Sequence, residues 1–136
     1  MYNFKPLLIL LCVAFVFCKN QTTEQKPASS ETKDGLVEIE AFESLMKSDH
    51  ILIDVRTPEE FAAGHISSAQ NINYHDEGFD ASMLKLDKDK PILLYCKSGG
   101  RSGKTYSMLK ANNFSKVYDL KGGFTAWQEA NKPFSK

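Results

Sequence analysis

Apolar residues along the chain are grouped in short blocks that polar, glycine-containing or proline-containing segments separate. Beyond the N-terminal residues 1–18, two of these blocks are continuous, ILI before Asp54 and PILLYC ending at Cys96. Both runs predict strands, and the longer one, PILLYC, predicts a strand buried on both faces, because a half-exposed strand would alternate with polar residues. After the first run, Thr57 can cap a helix, Pro58 suits its first turn and Glu60 can close a capping box. The pattern therefore predicts a strand followed by a helix.

The same alternation extends to both sides of these blocks. Further strands are predicted at residues 37–39, at 69–72 and within KVYDLKGG, and helices at 42–46, after Cys96 through Leu109, and within FTAWQEAN. We expect Asn113 to end the middle helix in a left-handed conformation, and Phe124 and Trp127 to share one face of the last helix. Strands that alternate with helices predict an α/β fold with a parallel sheet covered on both faces. Ligands bind at the carboxyl ends of such strands, where Cys96 lies.

The N-terminal residues 1–18 are predicted to be an export signal. Lys5 precedes an apolar run at 7–17, which is too short to span a bilayer comfortably. Cys18 and the polar sequence after it resemble the lipidation site of a bacterial lipoprotein, although Phe17 is larger than the residue normally found there. We expect lipidation at Cys18, membrane attachment through that lipid and a location in the bacterial cell envelope, periplasmic or anchored to the outer membrane. Simple cleavage of the signal or its retention as an anchor stays open.

Residues 19–34 carry no large apolar side chain and are predicted to be a flexible tether, so the folded domain is expected at 35–136. Lysine and arginine together number 17, as do aspartate and glutamate. This balance gives no overall field that would attract nucleic acid or an anionic membrane. The sequence indicates no metal and no cofactor, and it makes no prediction of the oligomeric state.

The segment LLYCKSGGRS carries the strongest chemical signal in the chain. A glycine-rich turn between a strand and a helix directs several backbone N–H groups into one concavity, which favours an anion. Lys97 and Arg101 add positive charge, so the pKa of Cys96 is expected to lie below that of a free thiol. A buried structural cysteine is the alternative, and the glycines after Cys96 disfavour it. Cys12 and Cys18 both precede the domain, so we expect Cys96 to act alone and to pass a covalent adduct to an external acceptor.

Three segments, LIDVRTPEEFAAGHISSAQNI, ILLYCKSGGRS and VYDLKGGFTAW, together resemble the single-domain rhodaneses, a family of sulfurtransferases. The resemblance implies a three-layer α/β domain with a central five-stranded parallel sheet, and a persulfide carried on Cys96. It also implies that Asp54 and Arg56 brace the active-site loop. Ser67, Ser68, Thr105 and Tyr106 depart from common family residues, which affects local packing. The substrate-binding loop implied by the family comprises Lys97, Ser98, Gly99, Gly100, Arg101 and Ser102.

The implied reaction is attack of the Cys96 thiolate on the outer sulfur of a donor such as thiosulfate, followed by transfer to cyanide or a thiol. Arg101 is expected to hold the anionic part of the donor without setting the fold. A cysteine phosphatase is an alternative, but such enzymes resemble C-x5-R, whereas four residues separate Cys96 from Arg101 here. Arsenate reduction and a non-catalytic role in binding or regulation also stay open. Thiosulfate, glutathione persulfide and a protein persulfide all present the same sulfane sulfur.

Further ionisable residues near these motifs are interpreted as structural. Glu59 and Glu60 fall in the first turn of a helix, where negative charge is favourable, and are not expected to do acid–base work. His50, His65 and His75 lie in no recognisable general-base motif. We expect His65 to form a local hydrogen bond at the end of its helix.

Overall fold

A five-stranded sheet forms the centre of the described part of the chain, residues 33–136 of a computed structural model. Every neighbouring pair of strands is parallel. The strand order is β1-β5-β4-β2-β3, and the elements in chain order are β1 Gly35–Val37, α1 Ile39–Leu45, β2 Ile51–Asp54, α2 Pro58–Ala63, β3 Gln70–Asn71, α3 Phe79–Leu84, β4 Ile92–Tyr95, α4 Gly100–Ala111, β5 Val117–Leu120 and α5 Gly123–Glu129. The predicted α/β architecture with a five-stranded parallel sheet is therefore confirmed.

The predicted export signal at 1–18, the lipidation of Cys18 and most of the predicted tether at 19–34 lie outside the described residues. Within residues 33–136, none of the helices combines the length and the apolar character needed to cross a membrane.

Two apolar clusters cover the two faces of the sheet. On one face, Leu93 and Leu120 pack with Phe42 of α1 and with Phe124 and Trp127 of α5. The opposite face carries the second cluster, which includes Ile53, Leu94, Met83, Leu109 and Phe114. All four residues of β4 are buried, as its continuous apolar run predicts, and all four residues of β5 are buried as well, so the sheet is covered on both sides.

The start of α2 has the predicted capping box. The Thr57 hydroxyl accepts a hydrogen bond from the Glu60 N–H at 3.3 Å, and the Glu60 carboxylate accepts one from the Thr57 N–H at 3.0 Å. Asn113 has a positive φ of 65°, as expected for the left-handed end of the helix. Phe124 and Trp127 are both buried on the inner face of α5, as predicted.

Some element bounds differ from the sequence-based expectations. The first strand lies at Gly35–Val37 instead of 37–39, since Ile39 already begins α1. The strand β3 is only two residues long, Gln70–Asn71. Helix α3 is absent from the sequence-based prediction: it has six residues, lacks a side-chain cap and buries only Phe79 and Met83. Such a short helix leaves almost no periodicity in the sequence, so tertiary packing determines it.

Candidate active site

Cys96 directly follows β4 at the carboxyl edge of the sheet, and its residue is 1% exposed. The chain turns from Cys96 into α4, and Gly99 adopts a φ of 111° at the N-cap of that helix. This turn brings the Gly99 N–H to 3.0 Å and the Ser102 hydroxyl to 3.4 Å from Sγ of Cys96. The sulfur is therefore held at the N-terminal end of a twelve-residue helix, where donors converge.

Opposing influences act on the pKa of the Cys96 thiol, and the net result is a pKa below its usual value. Burial is the largest single influence and raises the pKa, because it disfavours the charged thiolate. The Ser102 hydroxyl and the backbone N–H groups of Ser102, Gly99 and Ser98 lower it by hydrogen bonding, and together they outweigh burial. The arrangement favours a thiolate, which is the nucleophilic form of cysteine.

The start of α5 fixes the orientation of the loop peptides. The Phe124 N–H donates to the Cys96 carbonyl at 2.8 Å, and the Thr125 N–H donates to the Lys97 carbonyl at 3.0 Å. In a trans peptide the C=O and N–H groups point in opposite directions, so a Lys97 carbonyl held by α5 directs the Ser98 N–H towards the sulfur. Gly123 makes this contact feasible, since a Cβ there would lie 2.5 Å from the Cys96 carbonyl oxygen.

Arg101 forms a two-point ion pair with Glu60. Its Nη1 and Nη2 atoms lie 2.8 and 3.0 Å from the two carboxylate oxygens. The hydrogen bond from Arg101 is the main cause of a Glu60 pKa of about 2, and the Thr57 N–H contributes to the same shift. The sequence motifs place Arg101 at a bound anion and Glu60 at a helix start, and they do not predict that the two residues pair. The helices that carry them follow β4 and β2, which are adjacent parallel strands, so the strand order brings the two side chains together.

Asp54 and Arg56 form a buried ion pair, with the Arg56 Nη2 atom 2.6 Å from the Asp54 carboxylate. The same nitrogen donates to the Gly64 carbonyl at 2.6 Å, which ties the end of β2 to the end of α2. The guanidinium lies over the Phe124 ring, 4.2 Å from its centroid. Phe124 in turn donates its N–H to the Cys96 carbonyl. Arg56 therefore contacts a residue whose backbone holds the loop.

Asp119 is a charged residue inside the buried strand β5, and the sequence motifs do not single it out. The residue is 3% exposed, and its Oδ1 atom has no hydrogen-bond partner within the described chain. Burial raises its pKa to about 6, while a hydrogen bond with the Ser102 side chain acts in the opposite direction. The signal available in the sequence is the acidic residue in the otherwise apolar segment VYDL.

A cavity of about 200 Å³ lies beside the loop. Two cations, one carboxylate, two polar residues of α5 and three less polar residues line it. They are Arg56, Lys97, Glu60, Thr125, Gln128, Ala63, Gly64 and Phe124. Among residues 33–136 there is no cluster of three or more histidine, cysteine, aspartate or glutamate side chains that could hold a metal ion.

His65 forms the expected local hydrogen bond, with its Nδ1 atom 3.0 Å from the Phe61 carbonyl oxygen, and its ring stacks on the Phe61 ring.

Comparisons with known proteins agree with this architecture. The chain is 44% identical over 81 residues to the uncharacterized protein YqhL of Bacillus subtilis, a match covering 56% of this chain and 59% of that protein. It is 33% identical over 107 residues to the chloroplastic thiosulfate sulfurtransferase 16 of Arabidopsis thaliana, covering 71% of this chain and 89% of the relative. The crystal structure of a rhodanese-related protein from Thermoplasma volcanium superposes with a TM-score of 0.66 at 23% identity, covering 76% of this chain and 97% of that one.

The profile of the family described as Rhodanese-like domain matches residues 38–130. This range begins just before α1 and ends just after α5, so it contains β2 to β5 and the whole Cys96 loop. On this match and on the shared fold, the chain belongs to the rhodanese-like family.

Proposed function

We propose that this protein is a sulfurtransferase that moves sulfane sulfur from a donor such as thiosulfate to cyanide or a thiol through a persulfide on Cys96. One observation carries the proposal: the buried Sγ atom accepts hydrogen bonds from the Gly99 N–H and from the Ser102 hydroxyl, which lower the pKa of the thiol. A structural cysteine needs no such donors. Relatives named thiosulfate sulfurtransferase support the same conclusion.

The reaction has two balanced displacements. The Cys96 thiolate attacks the outer sulfur of thiosulfate, a bond forms between Sγ and that sulfur, and the bond to the sulfonate sulfur breaks. Sulfite leaves with the electron pair, and the persulfide keeps one negative charge. Cyanide or a thiolate then attacks the outer sulfur of the persulfide, which regenerates the Cys96 thiolate. The backbone N–H groups that hold the thiolate also suit the persulfide anion.

The rest of the loop is proposed to bind the anionic donor. The loop residues after Cys96 are Lys97, Ser98, Gly99, Gly100, Arg101 and Ser102. Lys97 lines the neighbouring cavity and is exposed, so its ammonium group is free to meet an incoming anion. Asp54 and Arg56 are proposed to brace the loop through Phe124, whose N–H holds the Cys96 carbonyl.

Intact-mass spectrometry tests the proposal directly. After incubation with thiosulfate and removal of the excess, the wild-type protein should gain the mass of one sulfur atom, and cyanide should remove it with release of thiocyanate. The Cys96→Ser variant is the matched control and should gain nothing. A folded wild-type protein that never gains sulfur from thiosulfate, glutathione persulfide or a protein persulfide would favour a non-catalytic binding module.

We also propose that the protein is exported to the bacterial cell envelope and is lipidated at Cys18. The support is the apolar run at 7–17 and the polar segment that follows Cys18. Growth with a clickable palmitate analogue should label the wild-type protein, and the Cys18→Ser variant should remain unlabelled. An unlabelled wild-type protein whose mature N-terminus lies elsewhere would contradict lipidation and leave the sulfurtransferase proposal unaffected.

A further inference from the structure

A buried carboxyl group lies behind the residue that contacts the nucleophile. Asp119 on β5 is enclosed by the sheet and by the first turn of α4, where a Cβ built on Gly103 would lie 3.8 Å from its Oδ2 atom. Its Oδ1 atom has no hydrogen-bond partner within residues 33–136. A buried carboxylate oxygen without a hydrogen-bond partner destabilises the folded state, so packing alone does not explain an aspartate at this position.

Ser102 connects this carboxyl group to the sulfur. The Ser102 side chain is fully buried, and its hydroxyl lies 3.4 Å from Sγ of Cys96. Ser102 directly precedes Gly103, which lies next to the Asp119 carboxyl on α4, and interaction with the Ser102 side chain lowers the pKa of Asp119. A hydroxyl has one proton to donate but can accept further hydrogen bonds. One hydroxyl proton can therefore serve the sulfur or a carboxylate, but not both at once.

We propose that Asp119 is a positioning residue for the chemistry at Cys96, acting through the Ser102 hydroxyl. When Asp119 is protonated, its O–H donates to Ser102 and the Ser102 proton points to the sulfur. When Asp119 is ionised, the Ser102 proton turns to the carboxylate and the sulfur loses that donor. This inference rests on the proposed role of Cys96 as a nucleophile.

Few other charges act on Asp119. The neighbouring strands place Leu36 and Leu94 opposite it, and the chain after β4 contributes Cys96. Within the described residues Asp119 belongs to no ion pair, and Arg101 and Lys110 are bound to Glu60 and Asp34. The titratable side chains on the helices packed against β5 are Arg101, Lys104, Tyr106 and Lys110 on α4, Glu40 and Glu43 on α1, and Glu129 on α5.

The reactivity of Cys96 is therefore expected to depend on a second ionisation. Burial places the pKa of Asp119 at about 6, so the carboxyl changes its charge just below neutral pH. Below that pH the thiolate has the Ser102 donor and is more stable. Above it the thiolate loses this donor, which raises the pKa of Cys96 and the nucleophilicity of its sulfur.

The test is the rate of Cys96 alkylation by iodoacetamide between pH 5 and pH 9, which requires no sulfur donor. Asp119→Asn keeps the shape of the side chain and donates permanently to Ser102. This substitution should lower the apparent pKa of Cys96 by about half to one unit, the size of one neutral hydrogen bond. In a Ser102→Ala background the same substitution should produce almost no shift. Asp80→Asn on the exposed surface of α3 is the matched control and should alter nothing.

Two results of the alkylation test would overturn the inference. An equal shift with and without Ser102 would show a direct charge effect, and no shift in either background would show that Asp119 is uncoupled from Cys96. If the substituted chain does not fold, the wild-type protein with ¹³C-labelled aspartate carboxyls and cysteine Cβ gives a second measurement. Both signals should then change at one common pH near the Asp119 pKa of about 6, and a cysteine signal without that step would contradict the coupling. Neither measurement uses thiosulfate, so each can succeed or fail independently of the sulfurtransferase proposal.

Discussion

Glu60 and Asp119 are carboxylic acids at opposite sides of the same loop, and their environments shift their pKa values in opposite directions. Glu60 is bound at two points by Arg101 and has a pKa of about 2. Asp119 is buried with one oxygen unpaired and has a pKa of about 6. A cationic partner stabilises the carboxylate in the first case, whereas burial without such a partner destabilises it in the second.

The difference separates two tasks in one loop. The Arg101–Glu60 pair stays charged at every physiological pH and joins the start of α4 to the start of α2. Asp119 can change its protonation near neutrality, and the Ser102 hydroxyl beside it contacts the sulfur. We infer that the exposed side of the loop provides constant electrostatics, while the buried side provides an adjustable hydrogen bond.

Cys96→Ser is expected to produce the largest effect, since both sides of the loop converge on this sulfur. Transfer from thiosulfate to cyanide should fall to below a few per cent of the wild-type rate, because serine cannot carry a sulfane sulfur. The fold should persist, since the substitution nearly preserves side-chain volume. Thiocyanate release and circular dichroism measure the two outcomes. Transfer that survives in this variant would rule out the persulfide mechanism.

Arg101→Ala should have the next largest effect and tests the exposed side of the loop. If Arg101 binds the donor anion, kcat/KM for thiosulfate should fall by about 10- to 100-fold, mainly through KM, as expected for one lost charge-assisted contact. Glu60→Gln is the matched comparison, because it breaks the same ion pair and leaves the cation in place. Equal losses in steady-state assays of the two variants would mean that the pair is purely structural.

Asp119→Asn tests the buried side through stability. The folded-state pKa of Asp119 is raised from 3.8 to about 6, so the folded chain binds this proton more tightly than the unfolded chain. Stability is therefore lost as the pH rises between these values, and above them the variant should be more stable than wild type by roughly 2 kcal/mol. At pH 4 the two proteins should be nearly equal. Urea unfolding at pH 4 and pH 8 measures the difference, and a constant difference would contradict the raised pKa.

Glu60→Gln should show the smallest effect, with the opposite dependence on pH. The pKa of Glu60 is lowered from 4.5 to about 2 in the folded chain. The contribution of the ion pair is therefore present above the unfolded value and is lost as the pH falls through this range. At pH 7 the variant should lose about 1 to 2 kcal/mol of unfolding free energy, a modest amount because both side chains are partly exposed. Urea unfolding at pH 3 should show a smaller loss, and an unchanged loss would indicate broken packing instead.

The sequence predicted those features that depend on neighbouring residues. Continuous apolar runs indicated β2 and β4, and the Thr57 to Glu60 spacing indicated the capping box that the structure contains. Cys96 stands out in the sequence because a glycine-rich turn follows it directly, and the donors to its sulfur come from that turn and the start of α4. Local propensities and spacings act over a few residues, so they can be recognised without the fold.

Only the tertiary structure determined which residues from distant parts of the chain lie next to the Cys96 loop. Glu60 is 41 residues from Arg101, and the two meet because β2 and β4 are neighbours in the sheet. Asp119 lies near Ser102 because β5 pairs with the other edge of β4. The six-residue helix α3 depends on burial of Phe79 and Met83. The sequence shows a carboxyl group in each place, but its pKa depends on desolvation and on its partner. Strand order and burial determine both of these properties, and neither is encoded by adjacent residues.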